Sequence, residues 1–141
     1  MAESKDAISE ETWDALYEAA LEVRQRAHAP YSGFKVGAAL LGESGEIFVG
    51  CNIENASIGA TVCAERTAIG TAVAHGQTHP KALCVVTRLD TPAAPCGICR
   101  QVLAEFADEL SILIANTDGE RVYTTLDELL PLRFGSADLD D

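Results

Sequence analysis

Ala82-Leu83-Cys84-Val85-Val86-Thr87 is a short, unbroken apolar run, the mark of a strand buried on both faces. A loop carrying Pro92 and Pro95 follows. A helix is predicted from near Cys96 through Gln101-Val102-Leu103-Ala104-Glu105-Phe106, and Ser111-Ile112-Leu113-Ile114-Ala115 reads as the next strand. A strand that reaches its neighbour through a helix runs parallel to it. These residues therefore predict a sheet that is parallel in part and covered by helices.

Working outward, Ser9 to Ala29 reads as an amphipathic helix, because Trp13, Leu16, Tyr17 and Ala20 recur at helical spacing. Ser9 suits its N-cap and Pro30 enforces its stop. Lys35–Leu41 and Glu46–Cys51 read as a hairpin around the turn residues Gly42-Glu43-Ser44-Gly45. A second helix is predicted from Cys63 to Ala74, ended by Gly76. Past the last apolar run, Asp118-Gly119 turns the chain into Arg121-Val122-Tyr123, and Thr125 caps a short helix, Leu126–Leu130, stopped by Pro131. The element order α-β-β-α-β-α-β-β-α predicts an α/β fold: a three-layer α/β/α sandwich on a mixed five-stranded sheet. A chain of 141 residues fits a single domain, 1–141, with 1–8 and 135–141 frayed.

Composition narrows the function. With 48% hydrophobic and 23% charged residues the chain can fill a core, which argues against wholesale disorder. Ten Lys and Arg against 22 Asp and Glu leave a net charge of −12. Such a chain is poorly suited to a phosphate backbone or an anionic membrane. The acids crowd the two ends, whereas residues 23–104 hold five acids and seven bases. That near-neutral middle also holds all five cysteines, Cys51, Cys63, Cys84, Cys96 and Cys99. The odd count and a polar start without an apolar targeting run point to a reducing cytoplasm, where clustered thiols suggest metal or catalysis.

Cys96 and Cys99 form a C-x-x-C pair at a predicted helix start, and Cys63 begins another helix. Three thiolates at two helix N-termini sit in positive macrodipole ends. Three cysteine ligands leave one position of a tetrahedral zinc open, the arrangement of a catalytic site. Glu65 stands close enough to move a proton there. Three thiolates and Zn2+ sum to −1, and Arg66 can offset that excess by donating to sulfur. Blander readings remain. The C-x-x-C pair could be a redox couple, or half of a structural zinc site closed by Cys51 or Cys84, and Glu65 a helix-start acid. Cys51 and Cys84 read more simply as small core residues.

Cys63-Ala64-Glu65 with Pro95-Cys96-Gly97-Ile98-Cys99-Arg100-Gln101 resembles the zinc-dependent cytidine deaminase family, in its small homotetrameric type with a three-cysteine site. The likeness extends over nearly the whole chain. Tyr31-Ser32-Gly33-Phe34-Lys35-Val36-Gly37-Ala38-Ala39-Leu40 looks like the family's first strand. Gly50-Cys51-Asn52-Ile53-Glu54-Asn55-Ala56 looks like its nucleoside-binding strand, and Glu128-Leu129-Leu130-Pro131 with Phe134 like its C-terminal end.

The resemblance implies hydrolytic deamination of cytidine or 2′-deoxycytidine, in pyrimidine salvage, by hydroxide on one Zn2+ per subunit of a homotetramer. It assigns zinc to Cys63, Cys96 and Cys99, and to Glu65 the proton shuttle from water to N3 and the departing amine. It assigns Asn52 and Glu54 to the ribose hydroxyls, the Ala64 N–H to the base carbonyl and Phe34 to stacking on the base. Ala56, Ile58 and Phe134 would belong to a pocket shared between subunits. Asn52 and Glu54, two apart on a strand, would point the same way. Where the family commonly carries Tyr after Glu-Asn-Ala-x, this chain has Ile58. That substitution opens the alternative of modified cytidines, or of an aminated nucleoside such as blasticidin S. A rival from another class is a non-catalytic zinc-stabilised module, which predicts a closed site and no need for Glu65. Polynucleotide substrates are disfavoured by the charge and by the lack of a basic, aromatic strand platform.

Overall fold

Two glycines decide how closely the layers of this protein approach one another. In the computed structural model, which describes residues 7–139, Gly37 opens strand β1 (Gly37–Leu41) and Gly50 lies in strand β2 (Ile47–Cys51). A Cβ on Gly37 would lie 2.0 Å from the Ala20 carbonyl oxygen of helix α1 (Glu10–Arg24). A Cβ on Gly50 would lie 2.3 Å from the Ala68 nitrogen of helix α2 (Ala64–Ala74). Both clashes are with backbone, so neither helix could keep its seat against a larger residue.

The remaining elements are β3 (Ala82–Thr87), α3 (Gly97–Phe106), β4 (Ser111–Asn116), β5 (Arg121–Thr125) and α4 (Leu126–Leu129). The five strands form one sheet in the order β2-β1-β3-β4-β5. β3 and β4 are parallel, as their intervening helix predicts, and every other pair is antiparallel. Alternation within the strands splits the core in two. Ala39, Leu41, Cys84, Val86, Leu113 and Ala115 face Trp13, Leu16, Tyr17 and Ala20 of α1. Ala38, Leu40, Leu83, Val85, Ile112 and Ile114 face Ala64, Ala68 and Ile69 of α2 and Leu103 of α3. The apolar runs are continuous because both faces are covered. The result is the expected three-layer α/β/α sandwich with a mixed sheet.

Local signals set most boundaries. Ser9 caps α1 by accepting from the Thr12 N–H at 3.1 Å, and Thr125 caps α4 by accepting from the Glu128 N–H at 3.2 Å. Gly45 and Gly76 take positive φ at the hairpin turn and after α2.

Two expectations need correction. The first helix ends at Arg24 rather than running to Ala29. His28 is drawn into backbone pairing with residues 52–54, donating to the Asn52 carbonyl and accepting from the Glu54 N–H. That non-local pairing outcompetes another helical turn. Strand β1 begins at Gly37 rather than Lys35, because the Val36 N–H is claimed by the Asn52 side chain. Ser136–Leu139 form a 3-10 turn in which the Gly135 N–H donates to Asp138. Residues 1–6 and 140–141 of the predicted frayed ends lie outside the described residues.

Gly50→Ala is expected to destabilise the fold by about 3 kcal/mol, the upper part of the usual overpacking range, because the blocking atoms are backbone. The check is the midpoint of urea unfolding, which should fall without a change in slope.

Candidate active site

Topology brings the site together. β1 is antiparallel to both β2 and β3, so β2 and β3 run in the same direction and end at the same edge of the fold. The chain leaves β2 and enters α2 there, and leaves β3 and enters α3 there. Both helix N-termini therefore open onto one place. Cys63 is the N-cap residue of α2 and Cys96 that of α3, each extended and without a side-chain capping bond. Their sulfurs are thus free to face each other. Cys99, a turn into α3, is fully buried.

The Sγ atoms of Cys63, Cys96 and Cys99 lie within 4.8 Å of one another, and the Cys63–Cys96 pair is 3.8 Å apart. Two thiolates on one tetrahedral zinc, each about 2.3 Å from it, are separated by roughly 3.8 Å. Arg66 donates from Nη2 to the Cys63 sulfur at 3.5 Å, while its Nε is buried without a partner. A donor set of three soft sulfurs beside an under-used guanidinium fits a thiolate-bound zinc whose surplus negative charge Arg66 offsets. Cys63 ionises far more readily than Cys99. Its pKa is lowered to about 5, first by the hydrogen bond from Cys99 and then by Arg66 and Cys96. Cys99 is pushed up, chiefly by donating that hydrogen bond and by burial.

Arg100, quoted in the sequence motif but given no role there, braces this corner. Its Nε donates to the Pro95 carbonyl and its Nη1 to the Leu129 carbonyl, both at 2.8 Å, tying the loop before Cys96 to α4. Cys84 fills the core beneath α1, its thiol pushed up to about 12 by burial. Cys51 is half-buried on edge strand β2, and neither joins the sulfur cluster. A fourth protein sulfur does not close the site.

Glu65 points away from bulk water. It is 5% exposed, and its carboxylate makes no side-chain hydrogen bond to another described residue. Burial, opposed by its own backbone N–H and reinforced by the Cys63 charge, raises its pKa to about 7. Ala64, fully buried, begins α2, so its N–H is among the donors the helix cannot satisfy internally.

A cleft of about 710 Å³ opens beside the sulfurs, walled by Glu54, Ala56, Ile58, Cys63, Arg66, Cys96 and Ile98, with Tyr31 and Ser32 at one side. Ile58, 86% exposed, sits in a 3-10 turn, Ile58–Ala60, that the sequence did not predict. Glu54 joins this wall but Asn52 does not. Asn52 is buried, with Oδ1 accepting from the Val36 N–H and Nδ2 donating to the Phe34 carbonyl, each at 2.8 Å. Glu54 accepts from the Tyr31 and Ser32 N–H groups and from the Ser32 hydroxyl. The two side chains do face one segment, residues 31–36. Phe34, within that segment, is half-buried and does not line the cleft. Phe134 stays away from the cleft wall, 58% exposed, with its carbonyl accepting from Gln101 of α3. Tyr31, Ser32 and Ile98 are cleft residues that sequence reasoning left without a role. Their only signal was adjacency to Phe34 and to the C-x-x-C pair.

Fold and site together define a three-layer α/β/α zinc protein whose three-thiolate site faces an open cleft. The model for the cytidine and deoxycytidylate deaminase zinc-binding region matches residues 10–115, and the chain belongs to that family. A cytidine deaminase of Sporosarcina psychrophila is 48% identical over 119 residues, 84% of this chain and 88% of that protein. One from Halalkalibacterium halodurans is 43% identical over 127 residues, 89% and 96% of the respective chains. The crystal structure of cytidine deaminase from Burkholderia pseudomallei superposes with a TM-score of 0.84 at 45% identity, over 90% of this chain and 100% of that one.

Arg66→Ala is expected to weaken zinc retention by about 10- to 100-fold, the usual cost of losing a group that supports a metal ligand. Competition with a chromogenic chelator measures it. Unchanged retention would show that Arg66 does not balance the sulfurs.

Proposed function

We propose that this chain hydrolyses cytidine and 2′-deoxycytidine to the corresponding uridine nucleoside and ammonia. One observation carries the reading. A buried carboxylate, Glu65, stands two residues from one of three converged sulfurs, and two of those sulfurs, Cys63 and Cys96, line a cleft large enough for a nucleoside.

Zinc held by Cys63, Cys96 and Cys99 supplies a Lewis acid that makes water nucleophilic near neutral pH. Glu65 takes the proton from the attacking water and delivers it to N3 of the pyrimidine. It then carries the second proton to the departing amine, so ammonia leaves neutral and the carboxylate is regenerated. The Ala64 N–H, at the positive end of α2, donates to the base carbonyl. Glu54 binds a sugar hydroxyl. Asn52 supports the same sugar edge with whatever its amide retains beyond Val36 and Phe34, and Phe34 offers its ring to the base.

The wider reading places the enzyme in pyrimidine salvage, as one domain spanning residues 1–141, in a reducing cytoplasm. Five free cysteines support that compartment. We further infer a homotetramer, in which Ala56, Ile58 and Phe134 lie where subunits meet. The strong exposure of Ile58, Leu132 and Phe134 supports it, and light scattering on the purified protein tests it. A second substrate class, cytidines modified on the base, is favoured by Ile58, whose aliphatic side chain adds no hydrogen-bonding group to the cleft wall.

Two measurements test the activity. Zinc-loaded protein is expected to bleach the ultraviolet absorbance of cytidine, and Glu65→Gln to lower kcat by about 10²- to 10⁴-fold while still holding zinc. Native protein that leaves cytidine, deoxycytidine and their close analogues intact would sink the reading. In the second, the ratio of kcat/KM for 5-methylcytidine to that for cytidine is expected to fall in Ile58→Tyr. An unchanged ratio removes the role of Ile58 in substrate choice.

A further inference from the structure

Residues 31–36 form no strand or helix, yet their backbone polar groups are held by side chains, among them Arg24, whose Nε donates to the Lys35 carbonyl at 3.0 Å. Asn52 takes the Val36 N–H and the Phe34 carbonyl. Glu54 takes the Tyr31 N–H at 2.9 Å and the Ser32 N–H at 3.1 Å, both on Oε1. Ser32 completes the set. Its hydroxyl donates to Glu54 Oε2 and accepts from the Phe34 N–H at 3.0 Å. Gly33, with φ of +70°, makes the turn that lets the hydroxyl reach forward to Phe34 while the backbone N–H reaches back to Glu54.

A serine hydroxyl has one proton to give, and here it goes to the carboxylate. An ionised carboxylate offers about four acceptor positions. Glu54 has three filled, two on Oε1 and one on Oε2. The position left on Oε2 is enough for one sugar hydroxyl, and the Ser32 proton determines how that oxygen is turned. The same hydroxyl holds one end of Phe34, whose other end is held by Asn52. Removing it frees an oxygen of the sugar-binding carboxylate and half of the anchorage of the ring.

We propose that Ser32 is a positioning residue of the nucleoside site, setting Glu54 and Phe34 in register through a single hydroxyl. The proposal rests on the roles given above to Glu54 and Phe34. Ser32 forms no hydrogen bond to Glu65 or to the three sulfurs, so its contribution falls on holding the nucleoside and leaves the chemical step alone.

The experiment compares native protein, Ser32→Ala and Ser32→Thr, all zinc-loaded, by steady-state kinetics on cytidine and by calorimetric binding of uridine. Loss of a hydrogen bond to a charged group is expected to raise KM and the uridine Kd in Ser32→Ala by about tenfold, with kcat kept within about twofold. Ser32→Thr, which keeps the hydroxyl, should recover most of the loss. Unfolding midpoints should coincide, since the residue is exposed. Unchanged KM and Kd, a fall in kcat alone, or failure of threonine to rescue would overturn the proposal. Native protein that binds uridine but deaminates nothing removes the deaminase reading, and the uridine arm still decides the role of Ser32. Native protein that binds no uridine overturns both.

Discussion

Three thiolates cannot share a space 4.8 Å across without a cation to hold them. Everything else in this protein is arranged around that constraint. The sheet brings two helix N-termini to one edge, so their dipoles begin the neutralisation. Arg66 donates to Cys63 and continues it. A divalent ion held there would complete it, and the described residues supply three converged sulfurs for it and no fourth. The closed, structural site would need Cys51 or Cys84, and the sheet holds both elsewhere.

The same economy of polar groups explains the other wall. An irregular segment at the surface must find partners for its N–H and carbonyl groups. Residues 31–36 find them in Asn52 and Glu54, which sit on the chain continuing from β2. Polar residues expected to serve the substrate are therefore occupied first in building the site. Asn52 spends one acceptor and one donor position on this and stays off the cleft wall, whereas Glu54 keeps one free position and reaches the cleft. Sequence spacing showed that the two share a side, and could not show that this side faces a loop.

Much of the fold was legible because it rests on local patterns. Unbroken apolar runs marked β3 and β4, and Thr125 and Ser9 marked helix starts that proved to be capped. The two misplaced boundaries share one cause. α1 stops early and β1 starts late because His28 and Val36 are claimed by partners at residues 52–54. The 3-10 turn bearing Ile58 lies in a stretch with no periodicity to read, and Arg100 acts through carbonyls that lie far along the chain.

By itself the sequence determined the three-layer architecture, the C-x-x-C pair and the carboxylate two residues past Cys63. Each of these is written in residue type and short-range spacing, through strand alternation, helix caps and the reach of a C-x-x-C pair. Only the tertiary structure decided that Cys63 joins Cys96 and Cys99 rather than Cys51 or Cys84, that Glu65 is buried, and that Ser32 links Glu54 to Phe34. Those outcomes depend on strand direction and on two glycines that let the helices sit against the sheet. Contacts between residues far apart in the chain are set by packing, which no local spacing encodes.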